Sequence, residues 1–510
     1  MAFFSRLTNT GRFCVIALAV IILGVGLYFG GKAVGVISSD GSINASAAKY
    51  DATVIVNTYC GFEPIVWGNG GLEPSDDSYF AKNFDVKLKI IIQDDFDACR
   101  AALKNGSAQM AYCTLDALPV EMGANGTMTD MRYFMLLNFS AGADAIVVNK
   151  NINTVADLRG KRVAYAEGTA SHTLLINALE TAGLRFSDIV PVKVGSGIDA
   201  MNAFKAMQVD AAVVWAPDDE DCVEAVRGAK VLVSTAQASS LVSDGLIAKS
   251  EWLQKNQKTA MKVVEAILWA NSEIQFNSQA FNEGAVAFAK AFNTDVDFAK
   301  ASSSKIAYAT LEDQKNWMGM NATYEGMTAQ TIYTKMAKTY SKLGLCEDVL
   351  SFDDIVYKDI VKGLVKENKL NNKQTASATK EKEFSSPTQA METATAMSNK
   401  KVVINFPVNG YTLDNEARAI IDAEFVAIAK EFSNTRIRVE GNTDNTGNYN
   451  ANVSLSKKRA NAVVDYLVNE HGMQRNRFVT VGNGPKHAID DNVTGSSEAY
   501  RTTDFQLISE

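Results

Sequence analysis

Residues 154–175 read TVADLRGKRVAYAEGTASHTLL. A polar turn ending at Gly160 leads into the short apolar run RVAYA, and a second turn at Gly168 opens onto an apolar, helix-compatible stretch headed by Thr169 and Ser171. Thr and Ser at that point satisfy the orphan N–H groups of a helix start, so the segment predicts a strand passing directly into a helix. Similar runs lie on both sides: ATVIVNTY (52–59), VKLKIIIQ (86–93), AQMAYCT (108–114), AIVVN (145–149), DIVPVKVG (188–195) and AAVVWAP (211–217), with the amphipathic DACRAALKNG (97–106) between two of them. Short apolar strands separated by helices predict parallel βαβ units and an α/β fold.

The pattern changes at Glu251. From there to about Val365 long helical periods dominate, such as TAMKVVEAILWANSEIQF (259–276) and GAVAFAKAF (284–292), which predict a helical cap closing a domain over 50–365. Residues 366–400 lose hydrophobic periodicity and are rich in Lys, Ser, Thr, Asn and Ala, the composition of a flexible linker. As a coil it spans roughly 30–35 Å, and fully extended about 115 Å. Residues 401–510 then run strand (401–406), helix (414–432), strand (436–440), polar loop, helix (455–472), strand (477–484) and strand (503–508). This β-α-β-α-β-β order predicts a small α/β sandwich on a mixed sheet.

A chain of 510 residues exceeds what one core organises, so at least two domains are expected. The net charge of -8 gives no basic footprint for nucleic acid. Residues 13–31 (FCVIALAVIILGVGLYFGG) form an uncharged apolar run about 28 Å long as a helix, close to the ~30 Å hydrocarbon core of a bilayer. Arg6 and Arg12 precede it and Lys32 follows, which places residues 1–12 in the cytoplasm and exports everything after the run. A cleaved signal peptide is the competing reading, because Ala45-Ser46-Ala47 resembles a cleavage site. Residues 32–49 read as a spacer. Cys60, Cys99, Cys113, Cys222 and Cys346 follow the apolar run with no zinc or C-x-x-C spacing, and are expected as small buried residues with one or two bridges at most.

The string VEGNTDNTGNYNANVSLSKKRANAVVDYL (439–467) resembles the signature of OmpA-like peptidoglycan-binding domains, with Gly441, Thr443, Asp444, Gly447, Asn452, Leu455, Ser456, Arg459 and Ala460 at motif positions. The resemblance extends over 401–510 and includes Phe406 and Asn409. Diaminopimelate in a peptidoglycan stem is a zwitterion, so its pocket needs an anion for the ammonium and a donor fork for the carboxylate. The resemblance implies that Asp444 takes the ammonium and Arg459 the carboxylate, supported by Asn409, Thr443 and Asn452. Two departures stand out: Asn442 replaces a common histidine, and Tyr500-Arg501-Thr502 replaces Asn-Arg-Arg, which removes one cationic contact.

Residues 50–365 resemble type II periplasmic solute-binding proteins, in the branch that includes sulfonate, nitrate and thiamine-precursor receptors. Gly61-Phe62-Glu63-Pro64, the segment 102–119, the segment 154–175 and VDAAVVWAP (209–217) carry the resemblance. It implies two α/β lobes, the second over about 144–240, with ligand bound where strand C-termini and helix N-termini converge. The cleft candidates are therefore Phe62, Glu63, Thr114, Asp116, Thr169, Ser171, His172, Trp215, Asp218 and Asp244. Glu63, Asp94, Asp95, Asp116 and the run 218–221 give an acidic mouth that would favour a basic ligand or an amine if they point inward; an acidic run is otherwise a solvated surface.

No nucleophile–base pair, phosphate-cradling motif or metal-ligand spacing is visible, and the chain has three histidines, so neither an enzyme nor a cofactor or metal site is expected. The expected molecule is an inner-membrane-anchored receptor for a small-molecule solute, working with the membrane subunits of an ABC importer and held to peptidoglycan by its tail. The alternative is a structural tether whose middle domain is a spacer or docking module.

Overall fold

The computed structural model describes residues 50–508 except 125, 127, 368–375, 379–381, 405 and 408. The apolar run 13–31 and both readings of it lie outside the described residues. Among the described residues no helix is long and apolar enough to cross a membrane.

Two sheets build the middle domain. The first comprises β1 (Ala52–Val56), β2 (Leu88–Ile92), β3 (Met110–Thr114), β4 (Met131–Ser140), β10 (Ser243–Lys249) and β11 (Ile306–Tyr308), in the order β11-β4-β10-β3-β1-β2. The second comprises β5 (Asp144–Val148), β6 (Arg162–Ala166), β7 (Val190–Val194), β8 (Ala211–Trp215) and β9 (Lys230–Ser234), in the order β7-β6-β8-β5-β9. The expected parallel pairs occur, β1 with β2 and β3, β6 with β7 and β8. The remaining pairs are antiparallel. The cause is the path of the chain, which leaves the first sheet from β4 into β5 and returns from β9 into β10, so that β5 and β10 run against the βα units while β4 and β9 run with them.

Helices α1 (Glu63–Asn69), α2 (Phe96–Asn105), α3 (Ala170–Thr181), α4 (Asp218–Ala225), α5 (Gln257–Phe276), α6 (Ser278–Phe292) and α7 (Ala329–Lys342) belong to the middle domain. Asp95 caps α2 by accepting from the Ala98 N–H at 2.8 Å, and Thr169 caps α3 by accepting from Ser171 N–H at 3.3 Å. The helical cap after Glu251 includes α5 to α7 but also β11, which periodicity did not reveal because three residues carry too little pattern.

The C-terminal sheet orders β12 (Ala396–Val402), β15 (Thr503–Ile508), β13 (Arg436–Asn442) and β14 (Phe478–Gly484) as β12-β15-β13-β14. β13 and β14 are parallel and the other pairs antiparallel, giving the mixed sheet expected. Helix α8 (Tyr449–His471) crosses β13 and β14 closely. A Cβ on Gly441 would stand 2.1 Å from the Ser456 carbonyl, and one on Gly482 would stand 2.6 Å from Lys457 N, so both positions require glycine.

The segment read as a flexible tether is not one over its described part. β12 begins at Ala396, inside 366–400. Phe384 is buried beneath the guanidinium groups of Arg436 and Arg477, 5.4 and 5.9 Å from its ring. Ser377 donates to Asp313 at 2.5 Å. The two domains also touch directly: Lys335 on α7 binds Glu180 of α3 at 2.8 Å and the fully buried Glu431 of the C-terminal domain at 2.6 Å, while Asn434 donates to Ser239 at 3.0 Å. Composition suggested a coil because the segment's partners lie on distant elements. Cys60, Cys99, Cys113, Cys222 and Cys346 are all buried thiols without a bridge.

Candidate functional site

Where the two middle sheets face each other, the register sets opposite residues at strand ends. Asp244 of β10 pairs across from Thr114 of β3, and Asp144 of β5 across from Trp215 of β8. With Thr169 and Ala170 at the start of α3, Phe96 at the start of α2, and Asn57, Tyr59 and Val242, these four line a cavity of about 440 Å³ that opens to solvent. The Trp215 indole N–H donates to the Ser171 hydroxyl at 3.0 Å, which fixes the ring plane at the cavity wall. The Thr169 hydroxyl donates to the Ala166 carbonyl at 2.9 Å.

Of the sequence candidates, Thr114, Thr169, Trp215 and Asp244 line this cavity, and Ser171 holds Trp215. The others do not line it. Phe62 is core, in edge contact with Tyr112. Glu63 is fully buried, accepts from the Ser303 hydroxyl, and is pushed by burial to a pKa of about 8. Asp116 is fully buried behind the cavity, its carboxyl raised by burial to about 7. His172 packs among Tyr165, Phe186 and Tyr340, its Nδ1 accepts from Gly168 N–H at 3.3 Å, and burial lowers its pKa to about 4. Asp218 opens α4 outside the cavity, and the acidic run around it is paired: Lys305 holds Asp219 and Glu220, and Lys205 holds Asp221. Asp94 accepts from Thr58, and Asp95 is the α2 cap. The acidity of the cleft therefore comes from Asp144 and Asp244 rather than from the mouth residues picked from sequence. Asp144, Tyr59, Phe96 and Asn57 were missed, although Asp144 stands at the boundary where the second lobe was expected to begin.

The second site lies in the C-terminal domain. Asn409, Thr443, Asp444, Asn452 and Arg459, all five sequence candidates, line one cavity of about 980 Å³ together with Phe406, Thr446, Leu455 and Arg501. Asn409 holds a left-handed backbone, φ 57°, which asparagine tolerates better than most residues. Asp444 accepts from Thr446 at 2.5 Å, from Ser497 N–H at 3.3 Å and from Arg501 at 3.2 Å. Burial works to raise its carboxyl, but these hydrogen bonds and the Arg501 charge outweigh it and hold the pKa below the ordinary value. Arg459 donates to the Gly410 carbonyl at 3.0 Å and lies 4.9 Å from the Phe406 ring centre. Burial and Arg501 lower its pKa against the pull of Asp444. Arg501 is the site residue missed; its place in the Tyr-Arg-Thr variant of the motif was the signal. The two departures from the motif meet: Asn442 donates to Thr502 at 3.1 Å and to Asp504 at 3.2 Å, so they form one buried polar contact behind the pocket.

The fold thus joins a two-lobed α/β unit to a small α/β sandwich. Residues 76–275 match the family described as NMT1/THI5 like, and residues 405–502 match the OmpA family. The chain carries both: an NMT1/THI5-like domain followed by an OmpA-family domain. A putative aliphatic sulfonates-binding protein of Escherichia coli is 40% identical over 118 residues, 23% of this chain and 36% of that protein. Outer membrane porin F of Pseudomonas aeruginosa is 43% identical over 70 residues, 14% of this chain and 20% of that protein. The chain therefore spans about a third and a fifth of the length of these relatives. The periplasmic aliphatic sulphonate binding protein SsuA from Escherichia coli superposes with a TM-score of 0.49 at 20% identity, over 62% of this chain and all of that one.

Proposed function

We propose that this protein is a solute-binding receptor of the cell envelope, held to peptidoglycan by its OmpA-family domain. The observation that supports it most directly is the pairing at the cleft, where Asp244 with Thr114 and Asp144 with Trp215 bring one polar pair from each lobe to a shared cavity. Two lobes joined by crossing strands can close over a small ligand, the usual logic of a site between sheets. In the C-terminal pocket one carboxylate and two guanidiniums match a zwitterion: Asp444 suits the ammonium of diaminopimelate, and Arg459 with Arg501 suits its carboxylate. The apolar run 13–31 would station the receptor at the inner membrane, with the solute passed to ABC importer subunits.

Co-sedimentation of the full chain with purified diaminopimelate-type peptidoglycan tests the wall-binding half. Arg459→Ala and Asp444→Ala are each expected to weaken retention by about 2–5 kcal/mol, roughly 30-fold or more, because each leaves a buried charge unmatched. Undiminished sedimentation of both variants would sink the assignment.

A further inference from the structure

The cleft has the chemistry of a cation site. Asp144 is 4% exposed and Asp244 9% exposed, they come from different lobes, and both line the cavity. Among the described residues no lysine, arginine or histidine forms an ion pair with either. The cations on the surrounding elements are committed elsewhere: Arg100, under the Phe96 ring, holds Glu121 at 2.5 Å and donates to the Tyr112 carbonyl at 2.8 Å; Lys305 holds Asp219 at 3.0 Å; Lys193 holds Glu167. Two buried carboxylates without a counter-charge are costly, and a cation that bridges them removes that cost.

The walls point the same way. Tyr59, Phe96 and Trp215 present three aromatic rings to the cavity, and an ammonium or guanidinium is attracted to ring faces as well as to carboxylates. The α3 N-terminus at the wall would attract an anion, and the other features of the site oppose one. The cavity is lined by no positively charged side chain, the Thr169 hydroxyl is spent on the Ala166 carbonyl, and any anionic oxygen would meet Asp144 and Asp244.

We infer that the ligand is a small organic cation, its ammonium or guanidinium group held between Asp144 and Asp244 and its carbon frame against Tyr59, Phe96 and Trp215. This rests on the solute-receptor function proposed above and narrows it to a charge class opposite to a sulfonate. Because the carboxylates stand on separate lobes, the cation also links lobe closure to occupancy.

The test is a thermal-shift panel on the full chain at neutral pH, with n-butylammonium, tetramethylammonium, agmatine, butanesulfonate, sulfate and uncharged polyols, each at about 10 mM, followed by calorimetry on every stabilising compound. The stabilising compounds are expected to be cations. Their affinity should fall about tenfold or more in both Asp144→Asn and Asp244→Asn, and binding should release protons, read as a heat that changes with the ionisation enthalpy of the buffer. Proton release in the unaltered chain keeps the test valid if a variant misfolds. Stabilisation by butanesulfonate or sulfate that persists in both variants overturns the cation assignment while leaving the receptor standing. No shift with any compound overturns the receptor, and the cation assignment with it.

Discussion

The cleft and the wall pocket each put buried aspartate at a cavity wall, yet their carboxyls shift in opposite directions. Asp444 lies below its ordinary pKa because Thr446, Ser497 and Arg501 outweigh the cost of burial. Asp144 is pushed by burial up to about 6, and Asp244 is also raised well above the ordinary carboxylate value by burial and the neighbouring charges of Asp144 and Asp116. The same residue type therefore serves two ends: in the wall pocket it is an anion already balanced by the protein, in the cleft an acid held toward its neutral form until a counter-charge comes from outside. A site with internal counter-charges stays formed when empty, whereas a site without them is strained until occupied.

That contrast can be broken at three places. The largest effect is expected at the joint between the two regions. Lys335 ties Glu180 near the end of α3 to Glu431, and burial leaves Glu431 no other described cation within ion-pair reach. Lys335→Met should cost about 3–5 kcal/mol, seen as a lower melting temperature and faster proteolysis between the domains; an unchanged melting temperature would mean that the domains are not held by this contact. A middle-sized effect is expected from the cleft acids. The folded pKa of Asp144 is raised, so the folded state holds the extra proton between about pH 4 and 6 and stability falls as pH rises through that window. Asp144→Asn removes that loss and should stabilise the empty protein by on the order of 2 kcal/mol at pH 8 and hardly at all at pH 4. Groups facing it are Ser140, Asp219 and, through Asp244, Asp116. A variant less stable than the parent at pH 8 would show these acids to be internally compensated. The smallest effect belongs to Asn442→Ala, which breaks the contacts to Thr502 and Asp504 behind the wall pocket. It should cost about 1 kcal/mol of stability by denaturant titration and leave peptidoglycan sedimentation within a few-fold.

The wall pocket was legible from sequence almost residue by residue, and the cleft only in part. Thr443, Asp444, Asn452 and Arg459 sit within one short stretch, in the loop after β13 and on α8, whose order fixes their spacing, and Asn409 joins them from the loop after β12. The cleft draws instead on residues from Asn57 to Asp244, contributed by both sheets. Strand ends were the right place to look, which found Thr114, Thr169, Trp215 and Asp244. Which side of a strand end faces the cavity depends on the crossing from β4 to β5 and from β9 to β10, so Glu63 and Asp116 proved to be core while Asp144 proved to be wall.

Local pattern was enough to determine the two α/β domains, the strand-to-helix turn at Thr169 and the motif that sets Asp444 and Arg459 in one pocket, because each depends on side chains a few positions apart or on periodicity along one element. Tertiary structure alone decided that Asp144 and Asp244 line one cavity, that Arg501 closes on Asp444, and that Phe384 packs beneath Arg436 and Arg477. Those outcomes depend on which distant groups share a desolvated space, and charge balance in such a space is a property of the assembled fold, which no single stretch of sequence contains.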